Sequence, residues 1–213
     1  MKPDPVTLTP SGYSALVLGA SGLVGQALTD RLIQDPRYNQ VTCLVRRPMP
    51  SRNAKHRPVV IDFANLQAYE GYFRVDHLYI CLGTTLKAAG SRAAFRKVDF
   101  EYIHIAAQLA RSQQVRSLVW ISSVGANANS LNFYLRTKGE LENAIFRLPG
   151  LKGASAVRPS LLIGERKMSR PVERISTVIM KWISPVLMGP WRKYRPVSAS
   201  EVAKRMMELQ AFE

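Results

Sequence analysis

The chain has 213 residues, 46% hydrophobic and 21% charged, with 30 Lys and Arg against 15 Asp and Glu for a formal net charge of +15. That composition supports a full core and a single domain over residues 1–213, and it excludes a disordered or low-complexity chain. Cys43 and Cys81 fall in strand-like runs with no paired His or Cys spacing, so neither a disulfide framework nor a metal site is expected.

In chain order, the opening MKPDPVTLTPSGYS has an acid and three prolines where a secretory leader needs an apolar run. With two unpaired cysteines this gives the expectation of a cytoplasmic protein. A first strand is predicted over Ser14 to Leu18, followed by Gly19-Ala20-Ser21-Gly22-Leu23-Val24-Gly25 and a helix from about Leu23 to Gln34 that stops at Asp35-Pro36. Three glycines spaced three apart between a strand and a helix read as a dinucleotide-binding turn, the alternative being an ordinary strand-helix turn. Gly19 suits the tight exit, Gly22 lets the backbone approach a pyrophosphate, and Gly25 lets the helix pack on the sheet. The first helical amides then face the phosphates.

Val41 to Val45 reads as the second strand, and Arg46-Arg47 follow it where an NAD-preferring turn carries an acid. A guanidinium pair there favours a 2'-phosphate, hence NADP(H) over NAD(H), unless both are solvated surface residues. After a third strand, Pro58 to Ile61, stand Asp62 and Phe63, either bracketing an adenine or serving as a loop acid beside a core aromatic. The fourth strand, His77 to Leu82, runs into Gly83-Thr84-Thr85. Gly83 allows close backbone approach where the strand order reverses, and the threonines can donate to phosphate or ribose, although a plain turn would read the same.

Ser91 to Gln113 is predicted as one long helix with Phe95, Val98, Tyr102, Ile105, Ala106 and Leu109 on a single face. The fifth strand, Ser117 to Ile121, leads to Ser122-Ser123-Val124-Gly125, and a helix over Phe133 to Leu148 carries Tyr134 and Lys138 one turn apart. Lys138 shares the apolar stripe of Leu141, Ile145 and Leu148, so its ammonium needs a partner, for which cofactor ribose hydroxyls beside a tyrosine oxygen are one source. A snorkelling lysine beside a core tyrosine is the other account. A phenol exchanges protons poorly at neutral pH and a nearby cation stabilises its phenolate. Tyr134 can then act as general acid or base on a substrate oxygen held by Ser123, or by Ser122 if the strand ends one residue earlier.

A sixth strand, Ala154 to Val157, stops at Arg158-Pro159. Val172 to Met188 reads as an amphipathic to largely apolar helix, a lid, interface or membrane-surface element within the 164–196 segment that would cover the site. Ser198 and Glu201 open a last helix with a capping box, reaching about Leu209. Six strands alternating with helices predict a doubly wound parallel Rossmann-type sheet, order 3-2-1-4-5-6, with helices on both faces.

The basic residues are dispersed in short clusters and accompany no nucleic-acid module, so nucleic acid is not the expected partner. No apolar run reaches the roughly 18 residues of a membrane span, which leaves peripheral contact with anionic lipid as the only membrane role considered.

The glycine turn, the Ser122-Ser123-Val124-Gly125 strand end and the Tyr134-Lys138 spacing resemble the short-chain dehydrogenase/reductase superfamily. Cys81-Leu82-Gly83-Thr84-Thr85, Phe95-Arg96-Lys97-Val98-Asp99, Asn132-Phe133-Tyr134-Leu135, Lys138-Gly139-Glu140 and Arg158-Pro159-Ser160-Leu161-Leu162 resemble its small Tat-interacting-protein-like atypical reductases, from about Ala15 to Glu208. The resemblance implies a single Rossmann domain that binds NADP(H) and acts on a small-molecule substrate, with Arg46 and Arg47 at the 2'-phosphate and Ser123, Tyr134 and Lys138 as catalytic trio. The loop from Arg158 through Pro159 and Leu161 to Leu162 would lie against the nicotinamide. The family also holds regulators and assembly factors, so an NADPH-binding protein with little turnover is the alternative reading.

Overall fold

Six apolar runs pair side by side into one parallel sheet in the computed structural model, which describes residues 12–151, 153–160, 162–163 and 197–212. The strands are β1 (Tyr13–Leu18), β2 (Tyr38–Val45), β3 (His56–Val60), β4 (His77–Ile80), β5 (Ser117–Ile121) and β6 (Ala154–Val157), in the order β3-β2-β1-β4-β5-β6. This is the predicted doubly wound order. The reversal lies between β1 and β4, which pair from Ala15 with His77 to Leu18 with Ile80.

Side chains alternate across the sheet because a strand has a period of two. Leu16, Leu18, Leu78, Ile80, Leu118 and Trp120 fill one face, and Ala15, Val17, Tyr79 and Val119 the other. Parallel strands buried on both faces need helices on both sides. The first face packs on α4 (Tyr102–Ser112), α5 (Phe133–Phe146) and a 3-10 segment, Phe63–Phe73. The second packs on α1 (Leu23–Gln34) and α6 (Ala199–Glu208). The α6 capping box forms as read from Ser198 and Glu201. A two-stranded pair, β7 (Leu162–Ile163) with β8 (Val197–Ser198), stands apart from the main sheet. The predicted Val172 to Met188 helix lies outside the described residues.

The predicted long helix runs without a gap from Arg92 to Ser112, as α3 (Arg92–Arg96), a single π turn over Lys97–Glu101, and α4, and a short α2 (Leu86–Ala89) precedes it. The π turn carries five-residue hydrogen bonding, so it inserts extra rotation and re-aims the residues beyond it. Phe95, Asp99, Ile103 and Ala106 are buried, whereas Val98, Tyr102 and Ile105 are only half-buried. β2 and β3 also begin earlier than predicted, at Tyr38 and His56, because each extends beyond its apolar run along a neighbour that offers backbone partners.

At the end of the sheet remote from the glycine turn, buried polar groups hold the C-terminal residues. Tyr79 and Tyr38 hydroxyls lie 2.8 Å apart, Tyr38 lies 2.6 Å from His77 Nδ1, and His77 Nε2 meets the Ala211 carbonyl at 2.9 Å. A carbonyl only accepts, so Nε2 carries the proton, Tyr38 donates to Nδ1 and Tyr79 donates to Tyr38. Gln210 accepts from Ser117 and donates to the Leu78 carbonyl, and Phe212 packs edge-on against Tyr13 and His77.

Candidate active site

The glycine turn sits at the carboxyl end of β1. Gly19 has φ +84°, and a Cβ on it would stand 2.6 Å from the Cys81 carbonyl group, so the chain can cross the end of β4 only without a side chain. A Cβ on Gly25 would meet the Gly19 carbonyl oxygen at 2.1 Å, which places the first turn of α1 directly on the turn that precedes it. Gly22 differs: its nearest neighbour would be the Gly19 oxygen at 3.3 Å, with the other sides open. Gly22 is the N-cap of α1 and supplies no side-chain cap, and the first turn carries no acid. The helix start therefore presents backbone donors and the positive end of its dipole to an anion. Ala20 and Val24 are buried in the core, Ser21 is exposed, and Leu23 is half-buried.

Arg46 and Arg47 follow β2 directly and are exposed, and neither pairs with a carboxylate among the described residues. Asp62 is exposed, but its carboxylate accepts from the Ala64 amide at 2.9 Å and caps the 3-10 segment. Phe63 points into the core against Tyr102. Of that pair, only Asp62 offers a side chain to solvent.

Beyond β4, Leu82 is half-buried and Gly83 exposed. Thr85 is committed locally, since its hydroxyl accepts from the Ala88 amide at 3.1 Å and caps α2. Thr84 donates its backbone N–H to Asp99 Oδ2 at 2.8 Å.

β5 ends at Ile121, so Ser122 is the first residue past it. Its side-chain oxygen is buried without a hydrogen-bond partner. Ser123 is half-buried, and among the described residues its hydroxyl donates to the Val124 carbonyl at 3.3 Å. Asn132 caps α5 by accepting from the Leu135 amide, which fixes where the helix starts and hence where Tyr134 points. The Tyr134 ring lies against Phe95, centroids 5.7 Å apart, and Lys138 Nζ stands 5.9 Å from the centroid of the same ring.

Lys138 is only 3% exposed, and its partner is Asp99, itself 1% exposed, with Nζ and Oδ1 2.7 Å apart. Burial pushes the Asp99 carboxyl above the usual range, and the Lys138 charge and the Thr84 amide pull it back. The Arg158 guanidinium is engaged by the buried Glu142, with Nε 2.9 Å from Oε1 and a second contact to Oε2. The backbone of this loop runs beside the β5 end, because the Val124 amide donates to the Pro159 carbonyl at 2.9 Å. Leu161 lies outside the described residues. A cavity of about 420 Å³ opens elsewhere, at the β6 edge between Phe146, Arg158, Arg205 and Leu209, and none of its walls comes from the glycine turn or from Tyr134.

A family model described as the NAD dependent epimerase/dehydratase family matches residues 15–198. The chain belongs to this family. Protein FMP52, mitochondrial, of Candida albicans is 31% identical over 90% of this chain and 85% of its own length. Its Debaryomyces hansenii counterpart is 31% identical over 92% and 87%. Protein HTATIP2 of Rattus norvegicus is 33% identical over 75% and 67%. Among solved structures, MoeE5 in complex with UDP-glucose and NAD superposes with a TM-score of 0.69 at 17% identity, over 93% of this chain and 72% of that one. Helicobacter pylori ADP-L-glycero-D-manno-heptose-6-epimerase gives 0.70 at 16%, over 94% and 73%. At such identities the structures show the shared Rossmann-type fold.

Membership of the epimerase/dehydratase family agrees with the short-chain dehydrogenase/reductase resemblance. The cytoplasmic expectation is overturned, because the FMP52 relatives are named mitochondrial. That expectation rested on a missing secretory pattern and unpaired thiols, and neither separates the cytosol from a mitochondrion. Among the described residues, no helix is long and apolar enough to cross a membrane, and no His, Cys, Asp and Glu cluster could hold a metal ion.

Three residues of the candidate site have contacts that sequence reasoning does not assign. Asp99 lies four residues after Phe95 in a stretch read for its apolar stripe, and its pairing with Lys138 emerges only in three dimensions. Glu142 emerges as the partner of Arg158 only in three dimensions. Gly139 has a reason that its place after Lys138 does not reveal: a Cβ there would meet the Ala128 nitrogen at 2.2 Å, so the loop after β5 rests directly on α5.

Proposed function

We propose that the chain is an NADP(H)-dependent oxidoreductase of short-chain dehydrogenase/reductase type that acts on a small carbonyl or alcohol, with Tyr134 as general acid/base. The observation that carries this reading is the buried Lys138 ammonium beside the Tyr134 ring, on the helix next after the serine-bearing end of β5. A charge is costly to bury, and one held beside a phenol at the carboxyl edge of a Rossmann-type sheet has a chemical use there.

In reduction, Tyr134 donates its hydroxyl proton to the substrate oxygen, and in oxidation it takes one back. Lys138 favours the negative charge that proton donation leaves on the phenol oxygen. Ser123 holds the substrate oxygen by hydrogen bonding, with Ser122, whose buried hydroxyl has no partner among the described residues, as its substitute. The dinucleotide, when bound, supplies or accepts the hydride. The first amides of α1, Gly22 and the Gly83 turn would hold its phosphates and ribose, and the unpaired Arg46 and Arg47 support a 2'-phosphate. The names of the FMP52 relatives support a mitochondrial setting.

Two observations favour a second reading, a cofactor-holding regulator or assembly protein with little turnover: Asp99 already neutralises Lys138, and Ser123 faces a backbone carbonyl. Tyr134→Phe separates the two. For an enzyme, NADPH-driven reduction across an aldehyde and ketone panel falls by at least about a hundredfold, the scale of a lost general acid, while NADPH affinity stays within about twofold. No turnover by the unaltered protein with NADPH bound supports the regulator.

A further inference from the structure

The helix leading to Asp99 bears the marks of a device rather than a packing accident. Phe95, Asp99 and Ile103 follow one another at four-residue intervals and all are buried, and Asp99 sits within the π turn at Lys97–Glu101. Isolated π turns in α-helices recur where a side chain is presented to a functional site. The cost is a buried carboxylate in an otherwise apolar row, which only specific partners offset.

Its two oxygens go to two different elements. Oδ1 pairs with Lys138 Nζ on α5 at 2.7 Å, and Oδ2 accepts the Thr84 amide of the turn after β4 at 2.8 Å. That turn borders the glycine turn, because the missing Gly19 side chain would point at Cys81 and the Leu82 nitrogen. A Cβ on Gly83 would come within 3.5 Å of Asp99 Oδ1, so the carboxylate lies directly beneath the exposed backbone of Gly83. The neighbouring charges do not compete for it: Arg96 pairs with Glu140, and Arg92 and Arg136 stand over the Phe133 ring.

We propose that Asp99 is a positioning residue, a carboxylate bracket that fixes the Lys138 ammonium to the Gly83–Thr85 turn so that one anchor sets both the lysine and the backbone that a dinucleotide would touch. The lysine side chain has four rotatable bonds, and the bracket removes that freedom before any ligand arrives. An ammonium has three donors. The ion pair with Asp99 does not exhaust them, and Nζ stands 5.9 Å from the Tyr134 ring centroid. An asparagine cannot substitute, since its amide offers an acceptor to either Lys138 or Thr84 and a donor to the other.

The functional half of this proposal rests on the cofactor reading above, and a double-mutant cycle keeps the two separable. Asp99→Asn, Lys138→Met and the double variant are compared by NADPH fluorescence titration and by thermal unfolding without nucleotide. Asp99→Asn and Lys138→Met are each expected to weaken NADPH tenfold or more, with the double variant no weaker than the poorer single. NADPH affinity within twofold in Asp99→Asn, or losses that multiply, would overturn the bracket. In unfolding, the double variant is expected to recover at least half of the Tm lost by Asp99→Asn, because it strands no buried charge; no recovery overturns the bracket by a route that needs no cofactor. If the unaltered protein fails to bind NADPH while this recovery is seen, the cofactor reading falls and the Asp99–Lys138 coupling stands. Should Asp99→Asn alone not fold, a folded double variant that binds NADPH as Lys138→Met does supports the bracket, and an unfolded one overturns it.

Discussion

Gly22 and Gly25 share one turn but answer to different masters. An alanine at Gly25 would drive its Cβ into the Gly19 carbonyl, a backbone group that cannot swing aside. Gly25→Ala is therefore expected to cost about 2 kcal/mol or more, on the scale of overpacking, and to lower Tm with or without nucleotide. Gly22→Ala meets only the Gly19 oxygen at 3.3 Å and is expected to leave Tm within a degree or two while abolishing NADPH binding. Equal effects of the two on Tm would remove the distinction. Arg46→Asp makes a second residue-scale test, because the exposed guanidinium is assigned to a 2'-phosphate: NADPH should weaken far more than NADH, and equal losses in paired titrations would sink the assignment. The spacing of these residues was legible in the sequence because it reflects local backbone demands. Asp62 and Phe63 show the limit, since sequence adjacency does not say that one caps a 3-10 segment while the other enters the core.

Elements with one strong period were legible, and elements with a fault were not. Strands of four to six apolar residues and the Tyr134 helix declare themselves by alternation or by a stripe. The stretch from Ser91 to Gln113 also shows a stripe, but a π turn lies within it, and Val98, Tyr102 and Ile105 of the expected face are only half-buried while Asp99 and Ile103 are buried. Long-range polar pairing is equally silent in sequence, as with the Tyr79-Tyr38-His77-Ala211 relay under the sheet. That relay makes a pH prediction. Burial holds His77 below its ordinary value, and burial does the same for His56 and His104, so all three histidines of the chain resist protonation when folded. An unfolded histidine takes up its proton near pH 6.5, so below that pH the unfolded chain binds more protons and gains on the folded one. Stability is fully present above about pH 7 and is lost as pH falls through about 6.5. Thermal melts at pH 7.5 and 5.5 should show Tm lower by several degrees at the acid end; a flat or rising Tm would contradict the histidine assignment.

Across the whole molecule, strand order was the most legible property, because alternating strands and helices with right-handed crossovers leave few sheets to choose from. The compartment was the least legible, and it was relatives rather than composition that corrected it. The fold brings together residues separated by more than a hundred positions: the glycine turn at 19–25, the arginines after β2, Asp99 on its π turn and Tyr134 with Lys138 on α5 all belong to the carboxyl edge or its supports. The central claim is that this edge binds NADP(H). A titration of NADPH, and separately of NADH, with the full-length protein tests it directly by nicotinamide fluorescence. The account predicts a saturable blue shift or intensity change with one site per chain and NADPH tighter by at least about tenfold, roughly 1.4 kcal/mol. An unchanged NADPH spectrum at protein concentrations up to about 100 µM, a Kd weaker than roughly −5.5 kcal/mol, would contradict it.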